Sequence, residues 1–189
     1  MEYVMSAIRR AERLQLMIFD VDGVLSDGGL YIGAAGELLK RFNSKDGLGI
    51  TLLRRAGVRT AIITGRQSDI TAHRAAELHI DELWQGCQDK RGAYQSLKEK
   101  YQLEDEQVGY IGDDLLDLPV MLQVGFAAAV QDAAFETRKA AHFVANARGG
   151  YGAVREIAEF VLKAQGKWDA VIAAYSDIQG GQGGRDSAQ

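Results

Sequence analysis

The 189-residue sequence has little of several features that would place it in a particular protein class. Its single cysteine, Cys87, excludes an internal disulfide bond and fits a reducing cytoplasm. It contains no apolar run close to the roughly 18 residues of a membrane helix, and its amino-terminal segment lacks the pattern of a signal peptide. The three histidines, His73, His79 and His142, lack the mutual spacing of metal ligands.

The net charge of −4 at pH 7 gives the chain no general attraction to nucleic acid or to an anionic membrane. A basic site for a phosphorylated ligand would therefore have to be local. Contents of 47% hydrophobic and 25% charged residues are ordinary for a globular protein. We predict one domain over residues 1–178, followed by a flexible glycine-rich tail over residues 179–189.

Apolar runs of strand length alternate with helical patterns along the chain, which predicts a doubly wound, mostly parallel α/β sheet. Two β-prone segments flank a glycine-containing turn between Leu30 and Phe42, which predicts a β-hairpin extension. The expected strands cover residues 16–20, 58–64, 81–84, 108–111, 125–130 and 142–144. The expected helices cover residues 4–14, 46–56, 68–78, 89–101, 115–122, 134–140, 151–165 and 167–175.

Two acids, Asp20 and Asp22, lie at the carboxyl end of the first predicted strand. Ligands of open α/β sheets bind at the carboxyl ends of the strands. Two carboxylates held close together there repel each other and are costly to desolvate, so a hard divalent cation such as Mg²⁺ would stabilise them. A carboxylate beside Mg²⁺ can also attack phosphorus and form an aspartyl-phosphate.

Three further motifs occur in order along the chain. Thr64 and Gly65 follow an apolar strand, Lys90 opens a helix, and Asp113 lies in a Gly-Asp-Asp-x-x-Asp segment after another strand. Each motif alone is weak evidence. Together, in this order and at these element ends, they resemble the haloacid dehalogenase superfamily of phosphotransferases.

That resemblance implies a role for each motif residue. Asp20 would be the nucleophile, and Asp22 would protonate the leaving alcohol and then deprotonate the attacking water. Thr64, through its hydroxyl and backbone N–H, and Lys90, through its charge, would bind the transferring phosphoryl oxygens. Asp20, Asp113 and the backbone carbonyl of Asp22 would hold Mg²⁺.

A simpler structural interpretation stays open for several of these residues. Thr64 can be an ordinary β-branched residue at a strand end, and Lys90 a solvated helix residue. Asp113 can be a helix cap, a role compatible with metal binding. Asp117 is expected to support the metal ligands from outside, and Asp114 can do either.

The sequence leaves no room for the cap domain that usually covers the active site in this superfamily. Only the hairpin and one helix separate Asp22 from Thr64, and one helix and a short strand separate Thr64 from Lys90. The site of a single subunit would be open to water, whereas phosphoryl transfer benefits from an enclosed site. We therefore expect neighbouring subunits to cover it, with the apolar hairpin as an interface element.

At a finer level, the hairpin, the segment 42–49, the run 62–66 and the glycine-rich tail resemble the 3-deoxy-D-manno-octulosonate 8-phosphate phosphatases. This resemblance spans about residues 14–184 of the sequence. It implies a Mg²⁺-dependent cytoplasmic homotetramer of Gram-negative bacteria that hydrolyses the 8-phosphate of an eight-carbon acidic sugar in lipopolysaccharide biosynthesis. The substrate-contacting positions of that family correspond here to Asp22, Asn43, Ser44, Lys45, Asp46, Gly47, Thr51, Arg66, Arg74 and Lys90.

Two arginines, Arg66 and Arg74, suit a substrate with a phosphate and a carboxylate. A solvated helix face explains Arg74 equally well. Lys45 departs from the family pattern, in which arginine is common, because lysine supplies charge without a planar fork.

Other functions remain as alternatives. The nearest is a phosphatase of nine-carbon, sialic-acid-type 9-phosphates, and the lack of a fused nucleotidyltransferase mildly favours the eight-carbon sugar. A phosphomutase or another phosphotransferase is a further possibility. A non-catalytic binding domain on the same fold would show degraded motifs, whereas every expected chemical group is present.

The tail from Gln179 to Gly184, with Arg185 beyond it, is expected to fold over an active site, that of a neighbouring subunit. Glycine backbone can approach a ligand closely, and a segment that buries little apolar surface opens easily. The alternative is a dispensable chain end.

Overall fold

A computed structural model describes the backbone of residues 2–180 and the side chains of residues 5–176. Numbered in chain order, the strands are β1 Leu16–Phe19, β2 Tyr31–Gly33, β3 Gly36–Leu39, β4 Arg59–Ile63, β5 Glu82–Trp84, β6 Val108–Gly112, β7 Phe126–Ala129 and β8 Phe143–Val144. The helices are α1 Glu2–Ala11, α2 Ser44–Arg55, α3 Asp69–Glu77, α4 Lys90–Tyr101, α5 Leu118–Met121, α6 Phe135–Ala140, α7 Ala153–Ala164 and α8 Trp168–Gly180.

Six strands form one parallel sheet in the order β5-β4-β1-β6-β7-β8. Every residue of β1, β6 and β7 is buried. Helices cover both faces of a parallel sheet, which explains why the sequences of these strands are almost continuously apolar. The chain runs outward from β1 to β4 and β5 and then returns to β6 beside β1. The strand order therefore reverses between β1 and β6, which is where ligands bind in such sheets.

The helices pack in two groups, which confirms the predicted doubly wound α/β fold. Helices α1 and α2 pack on α7, which also contacts α8, while α5 packs on α4 and α6. Polar side chains begin several helices. Ser68 caps α3 by accepting a hydrogen bond from the backbone N–H of Thr71 (3.2 Å), and Asp89 caps α4 through the N–H of Arg91 (3.0 Å).

Most helix boundaries differ from the predicted ones by one or two residues, and α1 ends at Ala11 instead of residue 14. Helix α2 begins at Ser44 instead of residue 46, because Asn43 accepts a hydrogen bond from the N–H of Lys45 and caps it. The predicted helix 115–122 divides into a 3₁₀ turn, capped by Asp114, and α5, which has Pro119 in its first turn. Helix α8 extends to Gly180, past its predicted end at residue 175 and past the predicted domain boundary at 178. Residues 181–189, which hold most of the predicted tail, lie outside the described residues.

The predicted hairpin is formed by β2 and β3, which pair antiparallel and leave their apolar side chains exposed. Ile32 and Leu38 are 63% and 64% exposed. An isolated bridge between Ser26 and Phe42 closes its base. Only this hairpin and α2 lie between β1 and β4, so the expected lack of a cap domain at this point is confirmed. Within the described part of the chain, no helix has the length and apolar character needed to span a membrane.

Candidate active site

The first acidic residue, Asp20, lies immediately after β1, at the point where the strand order reverses. Its backbone N–H donates to the carbonyl of Ile111 in β6 (3.0 Å), which fixes it between the two strands. Gly23, three residues on, has a φ of +88°, and a Cβ there would collide with the carboxylate of Asp113. The glycine therefore allows the loop after β1 and the loop after β6 to come together.

Three carboxylates and one lysine converge between these loops. Oxygen atoms of Asp20, Asp113 and Asp117 all lie within 4.8 Å of one another. The Lys90 ammonium, from the first turn of α4, lies 2.9 Å from Asp20 Oδ1 and 2.7 Å from Asp117 Oδ1. The sequence motifs after β1 and β6 and at the start of α4 thus meet at one place.

Asp117 is fully buried and supports this cluster from beneath. Its Oδ1 accepts from the hydroxyl of Tyr110 (2.7 Å), and its Oδ2 accepts from the backbone N–H groups of Asp113 (2.8 Å) and Asp114 (3.2 Å). These bonds hold the loop after β6 in place. The carboxylate of Asp114 is exposed and caps the N–H of Leu115 instead (2.7 Å).

The cluster has more acids than bases, and this imbalance shifts the pKa values. Burial, and then the charge of Asp117, raise the pKa of Asp20 to about 6 despite the opposing effect of Lys90. Burial and the charges of Asp20, Asp117 and Asp114 raise the pKa of Asp113 to about 8. Burial lowers the pKa of Lys90, but its acidic neighbours outweigh that effect and the net shift is upward. A hard divalent cation with oxygen ligands fits this site, because it would offset the excess negative charge.

The carboxylate of Asp22 lies outside this cluster and has a different partner. Its Oδ1 forms an ion pair with the ammonium of Lys40, a residue that sequence reasoning missed. The sequence holds no signal for this pair, because nothing in the hairpin pattern distinguishes Lys40 from an exposed lysine. The Nε atom of Arg66 lies 3.8 Å from Asp22 Oδ2.

Thr64 is buried at the end of β4, and one expectation for it requires correction. Its backbone N–H donates to the carbonyl of Trp84 (2.9 Å), so this group belongs to the pairing of β4 with β5 and is not available to a phosphoryl oxygen. The hydroxyl remains the group that Thr64 can offer. The carbonyl of Thr64 accepts from the N–H of Cys87 (3.0 Å), which ties the loops after β4 and β5 together.

Several predicted substrate-binding residues lie around the start of α2. Asn43, Asp46, Gly47 and Arg74 line one small crevice. The Arg74 guanidinium lies so close to Gly47 that a Cβ there would be 2.5 Å from Nη2, and the Nε of Arg74 is buried with no hydrogen-bond partner among the described residues. Further residues of α2 follow: Ser44 and Lys45 are exposed, and the Thr51 hydroxyl donates to the carbonyl of Gly47 (3.0 Å).

The carboxylate of Asp46 has a structural role. It is 2% exposed and accepts hydrogen bonds from the N–H groups of Gly152 (3.1 Å) and Arg155 (2.9 Å) at the start of α7. These contacts stabilise the beginning of that helix. A contact between Asp46 and substrate stays a prediction.

The glycine-rich turn at Gly149 and Gly150 leads into the last two helices and also supports the loop after β1, which carries Asp20 and Asp22. A Cβ at Gly149 would collide with the carbonyl of Gly23, and the N–H of Gly150 donates to the carbonyl of Val24 (2.9 Å). The carbonyl of Gly150 accepts from Arg41 (2.9 Å). Sequence reasoning missed this contact because it joins segments far apart in the chain.

Comparisons with known proteins agree with this geometry. Residues 66–157 match the model of the haloacid dehalogenase-like hydrolases. A 3-deoxy-D-manno-octulosonate 8-phosphate phosphatase of Yersinia pestis is 49% identical over 176 residues, which cover 93% of this chain and 89% of that protein. The phosphatase of the same name from Escherichia coli K12 is 47% identical over 150 residues, or 79% of this chain and 80% of that protein.

A solved structure is also similar along nearly its whole length. The 3-deoxy-D-manno-octulosonate 8-phosphate phosphatase of Moraxella catarrhalis, in complex with a magnesium ion, a phosphate ion and a KDO molecule, has a TM-score of 0.87 and 40% sequence identity. The similarity covers 89% of this chain and 97% of that one.

The fold and the site together define a haloacid dehalogenase-like hydrolase of the capless type. Within that class, the chain belongs to the family of the 3-deoxy-D-manno-octulosonate 8-phosphate phosphatases, because its identity to curated members reaches 49% across most of both sequences. The resemblance inferred from the sequence motifs is confirmed.

Proposed function

We propose that the chain is a Mg²⁺-dependent phosphatase that hydrolyses 3-deoxy-D-manno-octulosonate 8-phosphate to the free sugar acid and inorganic phosphate. The convergence of Asp20, Asp113 and Asp117 on Lys90, at the reversal of strand order, carries this proposal. The Moraxella catarrhalis relative with magnesium, phosphate and KDO supports both the substrate and the metal.

The reaction uses two carboxylates in turn. Asp20 attacks phosphorus, the bond from phosphorus to the sugar oxygen breaks, and Asp22 gives that oxygen a proton. Asp22 then takes a proton from water, whose oxygen attacks the aspartyl-phosphate and releases inorganic phosphate and free Asp20. Asp20, Asp113 and the backbone carbonyl of Asp22 would hold Mg²⁺, which neutralises phosphoryl charge when bound.

Lys90 and Thr64 act on the phosphoryl group. Lys90 lies 2.9 Å from Asp20 Oδ1, so its charge is next to the attacking atom and to the oxygens of the transferring group. Asp117 and Tyr110 fix the ammonium in that position (2.7 and 3.1 Å). The hydroxyl of Thr64 donates to a phosphoryl oxygen from the neighbouring strand end.

Substrate recognition uses positive charge around the loop after β4 and the start of α2. Arg66, close to Asp22, and Arg74, at the crevice beside α2, bind the anionic groups of the sugar acid. The further predicted substrate contacts beside them are Asn43, Ser44, Lys45, Asp46, Gly47 and Thr51. Of these, the Asp46 carboxylate and the Thr51 hydroxyl already have partners within the chain.

The proposed assembly is a homotetramer in the cytoplasm of a Gram-negative bacterium, acting in lipopolysaccharide biosynthesis. The exposed apolar side chains of the hairpin support a subunit interface, because contiguous apolar surface marks interaction sites. A neighbouring subunit would cover the site that no cap domain covers. The glycine-rich tail, most of which lies outside the described residues, would contribute to this cover.

A substrate screen tests the proposal. Phosphate release is measured with 3-deoxy-D-manno-octulosonate 8-phosphate, a sialic-acid-type 9-phosphate and glucose 6-phosphate, each with Mg²⁺ and with excess chelator. The expected result is the highest kcat/KM for the 8-phosphate and none without metal. A higher kcat/KM for the 9-phosphate would assign the enzyme to the nine-carbon sugars, and no release from any substrate would contradict a catalytic function.

A further inference from the structure

We propose that Lys40 is a positioning residue that holds one oxygen of Asp22, so that the other oxygen, Oδ2, exchanges the proton with the sugar oxygen and then with water. The inference rests on the proposed acid and base role of Asp22. It adds the residue that orients this carboxylate and the oxygen atom that reacts.

Lys40 directly follows β3, and its burial is unusual for that location. The hairpin strands are exposed, whereas the Lys40 side chain is only 1% exposed. A lysine is almost never fully buried unless it is paired. Its ammonium forms ion pairs with Asp22 Oδ1 and with Glu37 Oε1 (3.0 Å). These two carboxylates account for the burial of the lysine.

The two oxygens of Asp22 have different surroundings. Oδ1 accepts from Lys40 and lies 3.4 Å from the hydroxyl of Ser26. Oδ2 is buried and has no hydrogen-bond partner among the described residues, although Arg66 Nε forms a longer ion pair with it at 3.8 Å. A buried carboxylate oxygen that accepts no hydrogen bond is costly, and a functional site is one place where that cost is accepted. With Oδ1 held, rotation of the carboxylate is prevented and Oδ2 is the oxygen left for substrate.

Lys40 is itself anchored to the loop that carries Arg66. Glu37, its second partner, accepts a hydrogen bond from the hydroxyl of Ser68. Ser68 caps α3, and its backbone N–H donates to the side chain of Gln85 (2.9 Å). The chain of contacts from Asp22 to Lys40, Glu37 and Ser68 thus connects the hairpin to the rigid start of a helix, which limits the movement of the ammonium.

This role predicts a dependence on the leaving group. A sugar alcohol is a poor leaving group and needs the proton of Asp22 as the bond to phosphorus breaks. The leaving group of 4-nitrophenyl phosphate, the 4-nitrophenolate ion, leaves without a proton. The kcat/KM for this substrate reports only the steps up to formation of the aspartyl-phosphate, so it should not depend on proton donation by Asp22. A variant whose folded fraction is merely lower would lose kcat/KM equally for both substrates.

The test compares Lys40→Met, Lys40→Arg and Lys98→Met. Lys98→Met is a matched control because Lys98 also forms a partly buried ion pair, with Asp105, near the amino end of β6. We expect Lys40→Met to lower kcat/KM for the sugar phosphate about 10–100-fold and for 4-nitrophenyl phosphate less than about threefold. Lys40→Arg should recover activity to within about fivefold of wild type, since it keeps the charge. Mg²⁺ affinity, measured by calorimetry, should not change in any variant.

Three outcomes decide the matter. An equal loss for both substrates, or no loss in Lys40→Met, would overturn the role of Lys40 while leaving the proposed function intact. A wild-type enzyme that releases no phosphate would instead contradict the proposed function. If Lys40→Met does not fold, Glu37→Gln gives the same test, because it weakens the hold on Lys40. It should produce a loss of about 2–5-fold that is confined to the sugar phosphate.

Discussion

The candidate active site contains two lysine–carboxylate clusters that differ in charge balance. In the first, which we call the acid cluster, one lysine faces three acids that lie close together (Lys90 with Asp20, Asp113 and Asp117). In the second, which we call the hairpin cluster, Lys40 faces Asp22 and Glu37, and Arg66 lies near Asp22. The first has an excess of negative charge that a divalent cation would relieve. The second is nearly neutral, so its contacts can fix geometry without a metal.

The largest effect is expected from Asp20→Asn in the acid cluster. The amide keeps the shape of the side chain but removes the nucleophilic charge, so phosphate release should fall more than about 10³-fold. Circular dichroism and the thermal midpoint should show a folded protein. Asp169→Asn, at an exposed residue in the first turn of α8, is the control and should keep wild-type activity. Appreciable turnover by pure Asp20→Asn would contradict the assignment.

Replacing each lysine with methionine compares the stability of the two clusters. Lys90→Met leaves buried carboxylates without their counter-charge, which costs about 3–5 kcal/mol of unfolding free energy. The partners of Lys40 keep about a fifth of their side chains exposed, so water compensates and Lys40→Met should cost only about 1–2 kcal/mol. Urea unfolding at pH 7.5 without Mg²⁺ measures both. Equal losses of unfolding free energy in Lys90→Met and Lys40→Met would contradict the proposed difference between the two clusters.

The acid cluster also predicts how stability without metal depends on pH. The folded-state pKa values of Asp20 and Asp113, about 6 and about 8, lie above those of the unfolded chain, so the folded protein binds more protons. The unfolding free energy should therefore fall, on the order of 5 kcal/mol, as pH rises from about 5 to about 8. Mg²⁺ should restore most stability at the upper end.

The control for this experiment is Asp113→Asn. Burial lowers the pKa of His142, which makes the unfolding free energy rise with pH near neutral pH and so opposes the effect of the acid cluster. This contribution is the same in wild type and in Asp113→Asn. Carboxylates with lowered pKa values, such as Glu37, change stability only below about pH 5. The difference between wild type and Asp113→Asn therefore isolates the acid cluster. A difference that stays constant with pH would contradict the account.

The smallest effect is expected from removing the tail, residues 181–189, which lie outside the described residues. Ending the chain at Gly180 keeps the whole of α8 and removes residues 181–189. If the tail covers an active site, the kinetic constants on the sugar phosphate should change about 2–10-fold while the fold and the assembly, measured by light scattering, stay the same. Kinetic constants equal to those of the full-length chain would identify the tail as a dispensable end.

The acid cluster could be predicted from the sequence because of how parallel sheets are built. Asp20 and Asp113 each follow a buried apolar strand, and the carboxyl ends of such strands meet at one edge. Lys90 opens the helix that returns to this edge. For Asp117 the sequence predicted only a supporting role. Its buried position and its hydrogen bonds from Tyr110 and two backbone N–H groups are seen only in the structure.

The hairpin cluster could not be predicted, because its contacts depend on how the hairpin folds back over the loop after β1. No local pattern sets the distance from Lys40 to Asp22, which are eighteen residues apart in sequence. The same limit applies to the backbone N–H of Thr64, whose partner lies on the adjacent strand β5. Asp46 looked like a ligand residue in sequence, and only its tertiary contacts reveal its bonds to α7.

The division of labour between Asp20 and Asp22 is the central claim, and trapping the covalent intermediate tests it most directly. The wild-type enzyme, Asp20→Asn and Asp22→Asn are each mixed with Mg²⁺ and 4-nitrophenyl phosphate, and the reactions are quenched in acid within milliseconds to seconds. The leaving group of this substrate needs no proton from residue 22, so Asp22→Asn should form the aspartyl-phosphate normally and hydrolyse it slowly. Peptide fragmentation by mass spectrometry then locates the phosphate. The account predicts phosphate on Asp20 and none in Asp20→Asn. Phosphate on residue 22 of the wild-type enzyme, or turnover with no covalent phosphate at any time, would contradict it.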